Sequence, residues 1–294
     1  ISGSGFATGG IAVNVGGEPC DNLNVINDST VQCTVPDGRI GVADLEVSTN
    51  DGSTTFPFTY EGLYAADGKT GEPGNLYEIN PTTGEAFTVG PIGFAITGLA
   101  LSPDGQLFGS QATQSGNRGN ANLVLIDRET GVGTAVGELL ASATGIIHNS
   151  TADIDFLDDT LLGWSETGDD PIVIDTTTGA VEVIGDSGVS SSGSGLAVDT
   201  LGTVWFVAGR VNGNIFIIDP QTGLGFQGPG LSGGTFDNIN SLTFFNGQLL
   251  GVETQDLGSV NSLQQLVKIN KTSGVITPIG DLPTGIDSVA ASTR

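Results

Sequence analysis

A hairpin motif that recurs five times constrains this chain more than any other feature of its sequence. Each copy has a β-branched or aromatic run, Asp or Asn, two variable residues, Thr or Ser, Gly, and a second short apolar run. The copies are LYEINPTTGEAFTVG, LVLIDRETGVGTAVG, IVIDTTTGAVEVIG, IFIIDPQTGLGFQG and LVKINKTSGVITPIG. A repeat of roughly 45 residues is typical of propellers and other repeat architectures.

The polar residues of each copy match the needs of a tight turn. The Asp or Asn side chain can cap backbone N–H groups, and Gly can adopt the positive φ that closes the loop. The capping positions are Asn80, Asp127, Asp175, Asp219 and Asn270, and the turn glycines are Gly84, Gly131, Gly179, Gly223 and Gly274. Turn chemistry accounts for these side chains, so we predict no further role for the capping residues.

Second strand pairs, such as ITGLALSPDGQLFG and NSLTFFNGQLLGV, lie between the hairpins. Four strands in about 45 residues are one blade of a β-propeller. The fifth repeat is split, because GIDSVAAS follows the last hairpin alone and GLYAADG precedes the first hairpin. We therefore predict an all-β fold in which residues 62–294 form a five-bladed propeller, closed when residues 285–292 join the blade that begins at residue 62.

Residues 1–61 contain short alternating strands and no copy of the hairpin, which predicts a separate small β-sandwich. The segments GSGF, GGEPC, VQCTVP, LEVSTNDG and FTY, in this order, resemble the IPT/TIG family of immunoglobulin-like domains. This resemblance covers about a fifth of the chain. It implies a disulfide between Cys20 and Cys33, with two reduced cysteines in neighbouring strands as the alternative.

The propeller repeats resemble a group of secreted bacterial and archaeal propellers that carry LY.ID..TG..T.VG and GLA..PDG.LYG. Propellers of this shape include lectins, hydrolases and scaffolds, so this resemblance implies a fold and leaves the function open.

Charge and composition limit the partners. The chain of 294 residues has 33 Asp and Glu against 8 Lys and Arg, a formal net charge of -25. We find no cluster of Lys or Arg that would bind nucleic acid or anionic lipid, and no apolar run long enough to span a membrane. Few Lys and Arg residues, the absence of Met and the implied disulfide suit prolonged exposure outside a cell. We expect a secreted or cell-surface protein from which a signal has been removed.

Few residues are candidates for chemistry. One His and two Cys are too few for a zinc site, and His148 lies in a polar connection without a nucleophile motif. Alignment of the inner strands places Asp153, Asn240 and Asp287 near the mouth of the channel, with Asp155 two positions further along. Paired carboxylates there could serve a glycosidase, and Asp153, Asp155 and Asp287 could instead hold Ca²⁺. Because the other blades lack a matching acid/base pair and no complete calcium loop is present, we predict neither an enzyme nor a required cofactor.

Three Asn-x-Ser/Thr sequons begin at Asn27, Asn149 and Asn270 and become glycosylation sites if the chain is secreted. A lectin is expected to repeat its ligand-binding side chains from blade to blade, whereas turn and core chemistry repeats here. Trp164 and Trp205 occupy similar strand ends, which favours core packing over a sugar platform.

The opening segment suggests a means of assembly. IPT/TIG domains typically begin with a strand and turn that lead into the strand starting here at Ile1, so this unit is expected to present an unpaired sheet edge. That edge is formed by Ile1, Ser2, Gly3, Ser4, Gly5 and Phe6. We predict a structural or adhesive surface protein that joins copies of itself into a filament by strand addition at this edge; upstream residues could instead complete the sheet. Glycan binding and glycoside hydrolysis are the alternative functions.

Overall fold

The computed structural model describes residues 1–68, 72–111, 121–148, 150–209, 213–235, 238–255 and 263–292. The fold of these residues is all-β, as predicted, with one short 3₁₀ turn as their helical element. The chain divides into two compact units, Ile1–Glu61 and Gly62–Arg294, which we call the sandwich unit and the propeller unit.

The sandwich unit contains a 3₁₀ turn at Phe6–Thr8 and six strands. The strands are Ala12–Val15 (β1), Glu18–Pro19 (β2), Asp21–Asn27 (β3), Thr30–Thr34 (β4), Gly41–Thr49 (β5) and Gly52–Tyr60 (β6). One sheet has the order β2-β1-β5-β6, and the second sheet pairs β3 with β4. Val13 of β1, Val31 of β4 and Val47 of β5 each lie on the inward-facing side of their strand and pack with Phe6 in the core.

The disulfide implied by the family resemblance is confirmed. Cys20 lies between β2 and β3, Cys33 lies in β4, and the two Cα atoms of this disulfide are 5.7 Å apart. Both half-cystines pack against the small valine core of the sandwich unit. The covalent link therefore reinforces a unit whose apolar core is limited by its size.

The prediction that Ile1 to Phe6 form a regular strand with an open edge is wrong. Ser2 alone forms an isolated antiparallel bridge, with Thr30. Around this bridge the amide of Val31 donates to the carbonyl of Ile1, and the amide of Gly3 donates to the carbonyl of Ser29. Phe6 enters the 3₁₀ turn, because its buried ring fills the core and draws the chain away from strand geometry. The four-stranded sheet of this unit ends at β6 instead.

The propeller unit contains the remaining strands of the described residues. They are Leu63–Asp67 (β7), Asn75–Ile79 (β8), Ala86–Pro91 (β9), Ile96–Leu101 (β10), Leu107–Gln111 (β11), Asn122–Ile126 (β12), Gly133–Glu138 (β13), Leu140–Ala141 (β14), Ile146–Ile147 (β15), Thr151–Leu157 (β16), Thr160–Ser165 (β17), Asp170–Ile174 (β18), Val181–Val183 (β19), Gly195–Val198 (β20), Val204–Val207 (β21), Asn214–Ile218 (β22), Gly225–Gly230 (β23), Asn238–Phe245 (β24), Gln248–Thr254 (β25), Gln264–Ile269 (β26), Ile276–Leu282 (β27) and Ile286–Ala291 (β28).

Most of these strands form five four-stranded antiparallel sheets, which we call blades I to V. Blade I has the order β28-β7-β8-β9, blade II is β10 to β13, blade III is β16 to β19, blade IV is β20 to β23, and blade V is β24 to β27. The short strands β14 and β15 form a separate hairpin between blades II and III. Each blade begins with its innermost strand, and these five strands lie side by side in the ring order β28, β10, β16, β20, β24 and back to β28.

The predicted closure is confirmed by the pairing of β28 with β7. Their register runs from Ile286 opposite Asp67 to Ala291 opposite Leu63. Beyond the ladder, the amide of Ser292 donates to the carbonyl of Gly62. Val289 and Leu63 are fully buried in the apolar core shared by blades I and V. Strand β28 therefore completes blade I and covers the edge of β7, which would otherwise be open.

The hairpin turns have the predicted chemistry. In each turn the Asp or Asn Oδ1 accepts from a backbone amide two residues ahead, as in the 2.8 Å bond from the amide of Thr177 to Asp175. The same contact is made by Asn80, Asp127, Asp219 and Asn270. All five turn glycines have a positive φ, between 73° and 81°.

These turn glycines also pack directly against the preceding blade. A Cβ added at Gly131 would lie 2.6 Å from the carbonyl oxygen of Gly90, which belongs to the outermost strand of blade I. The same close approach pairs Gly84 with Gly280, Gly179 with Gly137, Gly223 with Gly185 and Gly274 with Gly230. The turn glycine of each repeat therefore contacts a glycine of the preceding blade. Four of these partners are the last glycine of a motif copy, and the fourth copy instead supplies Gly230, two residues beyond its motif.

Candidate functional site

The carboxylates predicted near the channel lie on two different levels of the inner strands. Asp153 pairs with Trp164 directly after a β-bulge, and Ser241 and Ser288 occupy the matching position in their blades. Asn240 and Asp287 are the bulged residues one position earlier. The predicted alignment of Asp153 with Asn240 and Asp287 is therefore wrong by one residue, because the three inner strands share the same bulge and Ala152, not Asp153, is the bulged residue of blade III.

Asp153 is fully buried at the centre of the ring and bonds to backbone amides of two other blades. Its Oδ2 accepts hydrogen bonds of 2.9 Å from the amides of Leu196 in blade IV and Leu242 in blade V. Its Oδ1 accepts from the amide of Ile154 at 3.1 Å. One side chain thus satisfies inner-strand amides that have no neighbouring strand to bond.

Burial raises the pKa of Asp153 well above that of an ordinary Asp, although the amides of Leu196, Leu242 and Ile154 and a hydrogen bond with Ser241 oppose this shift. Removal from water disfavours the charged carboxylate, and the hydrogen bonds recover part of the cost. The arrangement holds the carboxyl group of Asp153 in place between the inner strands of three blades.

Other oxygen-bearing side chains on the inner strands also accept hydrogen bonds from backbone amides of the next blade. Oδ2 of Asp155 accepts from the amide of Val198 at 2.7 Å, which joins blade III to blade IV. The hydroxyls of Ser241 and Thr243 accept from the amides of Val289 and Ala291, each at 3.0 Å, which joins blade V to blade I. The polar positions of the inner strands therefore tie adjacent blades together.

Asn240 and Asp287 form a contact of their own at the junction of blades V and I. Nδ2 of Asn240 donates to Oδ1 of Asp287 at 2.7 Å. Within the described residues, no group of three or more His, Cys, Asp or Glu side chains is arranged to hold a metal ion. The calcium candidates Asp153, Asp155 and Asp287 are thus engaged in hydrogen bonds between or within blades rather than gathered at one cation.

His148 is a buried residue rather than a solvated one. Its Nδ1 lies 2.7 Å from Oγ of Ser165, and its exposed fraction is 4%. Burial lowers the pKa of His148, and the charge of Asp170 opposes that shift. Ser165 is also fully buried, so both members of this pair lie in the interior of the blade.

The two tryptophans do not occupy equivalent positions. Trp164 pairs with Asp153, whose counterpart on the inner strand of blade IV is Gly195. Trp205 instead pairs with Ala197, two residues further along that inner strand. Trp164 is fully buried and stacks on Phe206 with ring centroids 3.7 Å apart, as expected for core packing. The indole of Trp205 instead lies beneath Lys271, whose Nζ is 4.9 Å from the ring centroid. A cation therefore occupies the face that a sugar would need.

Two of the three sequons lie in exposed turns. Oδ1 of Asn27 accepts from the amide of Ser29 at 2.8 Å, and Oδ1 of Asn270 accepts from the amide of Thr272 at 3.0 Å. Glycosylation takes place at the side-chain nitrogen, so these turns are compatible with it. Asn149 lies outside the described residues.

A polar cavity that the sequence did not indicate lies at the junction of blades IV and V. Its volume is about 270 Å³. Residues 231–234, which follow β23, form one wall, and the start of β24 and the part of β25 around Glu253 form another. The lining residues are Gly209, Gly213, Leu231, Ser232, Gly233, Gly234, Asn238, Ile239, Glu253 and Ile276.

Two buried polar side chains in this cavity have unmet hydrogen-bonding capacity. Oε2 of Glu253 accepts from Nε2 of Gln265 and from the amide of Thr235, whereas its Oε1 has no partner among the described residues. Oδ1 and Nδ2 of Asn238 also have no hydrogen-bond partner among the described residues. Glu253 and Asn238 are only 1% and 2% exposed. Glu253 lies near the end of β25, at the position that Asp67, Gln111 and Ser165 occupy in blades I to III. Because each of these residues is polar, the sequence pattern does not distinguish Glu253 from them.

Residues 1–61 match the IPT/TIG domain family, which agrees with the resemblance of their motifs. Over 63 aligned residues, 20% of this chain, the sequence is 41% identical to fibrocystin-L from Mus musculus. The aligned region spans about 1% of that relative's length. No helix in the part of the chain that the structure describes is long and apolar enough to cross a membrane.

Solved structures resemble the larger part of the chain. A chain of the nidogen/laminin complex has a TM-score of 0.50 and 14% identity, covering 80% of this chain and 99% of that one. A protein of unknown function from Bacteroides caccae has a TM-score of 0.49 and 11% identity, covering 84% and 94%. At this identity the nidogen/laminin match supports the propeller-like fold and nothing about function.

Proposed function

We propose that this protein is a non-enzymatic, extracellular structural or adhesive protein that assembles with copies of itself through the sandwich unit. The observation that carries the proposal is the position of β6 in its sheet. This nine-residue strand lies at the end of the order β2-β1-β5-β6 and has β5 as its ladder partner. A long edge strand can accept a strand from another subunit by backbone hydrogen bonding.

The core-facing side of β6 supports strand addition at this edge. Phe56 pairs with Leu45 and lies on the same side of the sheet as the core residue Val47. Its side chain is nevertheless 48% exposed. A strand added beside β6 would cover the ring, and burial of a large apolar side chain contributes about 2 kcal/mol.

Pro57 defines which backbone groups of β6 are available. Proline has no N–H, so it fits this strand where its nitrogen faces away from β5. By the alternation of antiparallel ladders, the backbone groups of Ser53, Thr55 and Thr59 then face the free edge as well. An incoming strand must pair with these groups in a register that places no acceptor opposite Pro57, which restricts the segments that can bind.

The other features of the chain fit this role. The Cys20–Cys33 disulfide suits an oxidising compartment. The inner-strand carboxylates bond to backbone amides, which leaves them no catalytic part in the proposed function. Copies with a net charge of -25 repel one another, and salt or divalent cations would reduce that repulsion while leaving backbone pairing intact.

Light scattering and electron microscopy of the purified protein over a range of salt concentrations test the proposal. We expect regular polymers whose formation is lost in Thr55→Pro, which removes an edge-facing N–H. Thr55→Ser keeps that N–H and is the matched control, so it should assemble normally. A protein that stays monomeric under every condition, or a Thr55→Pro variant that polymerises like the parent, would overturn the proposal.

A further inference from the structure

We propose that the cavity between blades IV and V is a binding site for one neutral sugar residue, recognised through a pair of adjacent hydroxyl groups by Asn238 and Glu253. This site is independent of the assembly edge in the sandwich unit. It is also a single site rather than one of five repeated pockets, because it depends on residues particular to this blade junction.

The unmet hydrogen-bonding capacity is the first support. Within the described residues, Asn238 offers a donor at Nδ2 and an acceptor at Oδ1, and Glu253 offers an acceptor at Oε1. Buried polar groups are nearly always hydrogen-bonded, so a cluster of unmet groups lining one cavity points to a ligand or to water. A hydroxyl group donates and accepts as water does, so a diol can replace water here without loss of hydrogen bonds.

The shape and lining of the cavity are the second support. Leu231, Ile239 and Ile276 provide an apolar surface beside the polar pair. The C–H groups of a sugar ring can pack on such a surface while its hydroxyls reach the polar side chains, the usual division of labour in small-molecule sites. A volume of about 270 Å³ is sufficient for one sugar residue.

Gly234 keeps the polar part of the cavity open. A Cβ at this position would lie 2.0 Å from Oε1 of Glu253, the same oxygen that lacks a partner. Any side chain at residue 234 would therefore occupy the space around the acceptor that the ligand needs. The glycines of this junction thus leave room for a bound group.

The charge of the site selects the ligand class. A carboxylate in the wall, on a chain with a net charge of -25, disfavours phosphates, sulfates and acidic sugars. A metal ion would find too few ligands, since no group of three acidic, His or Cys side chains is present in the described residues. A neutral polyhydroxylated ligand matches one amide, one carboxylate oxygen and an apolar wall.

Saturation-transfer NMR of the full chain tests this site with glucose, galactose, mannose and N-acetylglucosamine as neutral probes. Sialic acid and methylammonium are the comparison probes in the same experiment, and isothermal titration calorimetry tests Ca²⁺. We expect at least one neutral sugar to bind with a millimolar Kd, and sialic acid not to bind. Failure of all four neutral sugars, or binding of methylammonium or Ca²⁺ in their place, would overturn the proposal.

Two variants then locate the binding. Asn238→Leu should weaken sugar binding at least about tenfold and leave the thermal unfolding temperature unchanged or raised, because the amide has no partner in the fold. Gly234→Ala should also weaken binding. Thr235→Ala, next to the cavity but not lining it, is the control and should bind as the parent does. Unchanged sugar binding in Asn238→Leu would contradict the assigned site.

Discussion

Oδ2 of Asp153 accepts a 2.9 Å hydrogen bond from the amide of Leu242, which is 89 residues further along the chain. The two residues belong to blades III and V, which are not neighbours in the ring. A carboxyl group that reaches across the centre in this way links blades that share no sheet. This contact makes Asp153 a structural residue at the position where a channel enzyme would carry its acid or base.

We expect Asp153→Asn to fold and to be at least as stable as the parent at neutral pH. The Asn carbonyl can still accept from the amides of Leu196 and Leu242, and the amide group has no charge to desolvate. Asp153→Ala leaves both amides without a partner and should lower the free energy of unfolding by roughly 2 to 5 kcal/mol. Urea unfolding at pH 7 measures both variants. Loss of folding in Asp153→Asn would contradict this account.

The pH dependence of stability provides a separate check on Asp153. Its pKa is raised in the folded state, so the native protein keeps this proton over a range in which the unfolded chain, with an Asp pKa of about 3.9, has released it. This contribution to stability is complete below the unfolded pKa and is lost as pH rises through the folded pKa. The stability of Asp153→Asn relative to the parent should therefore increase from pH 4 upward and then level off. A difference that does not change with pH would argue against a raised pKa.

The contact between turn glycines and the preceding blade predicts an order of stability among three substitutions. Gly131→Ala combines a positive φ of 81° with a Cβ 2.6 Å from the carbonyl oxygen of Gly90. Gly93 has a φ of 82° with no atom within 4 Å of an added Cβ, so Gly93→Ala measures the backbone cost alone, about 1 to 2 kcal/mol. Gly90→Ala measures the steric cost, since its Cβ would lie 2.2 Å from the carbonyl oxygen of Thr130.

We expect Gly131→Ala to be less stable than Gly93→Ala, because the steric cost is added to the same backbone cost, and Gly90→Ala to be destabilised by the steric cost alone. Urea unfolding followed by tryptophan fluorescence measures the order, as both tryptophans belong to the propeller unit. If Gly131→Ala is no less stable than Gly93→Ala, the interblade contact is not rigid.

The hairpins and the closing strand could be predicted from sequence because their determinants are local. A capping Asp or Asn, a turn glycine and two apolar runs lie within about 15 residues, and the split fifth copy is visible as a missing strand. The role of Gly90 opposite Gly131 could not be predicted, because the two glycines meet only when blades pack.

The inner-strand register and the cavity depend on longer-range geometry. Asp153 follows the bulged residue of its strand, whereas Asn240 and Asp287 are themselves the bulged residues of theirs, and no residue type marks these bulges in the sequence. In the sequence, Asn238 and Glu253 do not differ from other polar residues near strand ends. Only the fold shows that both are buried and that their side chains have polar atoms without a hydrogen-bond partner among the described residues. Likewise, the family resemblance predicts an open edge at Ile1–Phe6, whereas the edge strand of the four-stranded sheet is β6.

The closing strand predicts that the propeller can be assembled from two pieces. Removal of residues after Leu282 deletes β28, which exposes the edge of β7 and uncovers the core around Leu63. We expect the shortened protein to aggregate. A peptide of residues 283–292 should restore a soluble monomeric propeller when it is added during refolding. The same peptide with Val289→Asp, a fully buried position, should not. Size-exclusion chromatography separates these outcomes, and a shortened protein that remains monomeric without the peptide would contradict the prediction.

The disulfide predicts that the two units can be destabilised separately. Replacing both Cys20 and Cys33 by Ser removes a link across 13 residues and should lower the stability of the sandwich unit by about 3 kcal/mol by the chain-entropy estimate. That loss is large for a unit whose buried apolar core consists of Phe6 and a few valines. Because the tryptophans lie in the propeller unit, their fluorescence should follow the same unfolding curve with or without the disulfide. Amide hydrogen exchange at Val13 and Val47 should instead accelerate in the variant, since those amides belong to the sandwich sheet. An equal shift of the tryptophan transition would show that the propeller depends on the sandwich unit for its stability, contrary to the division of the chain into two separate cores.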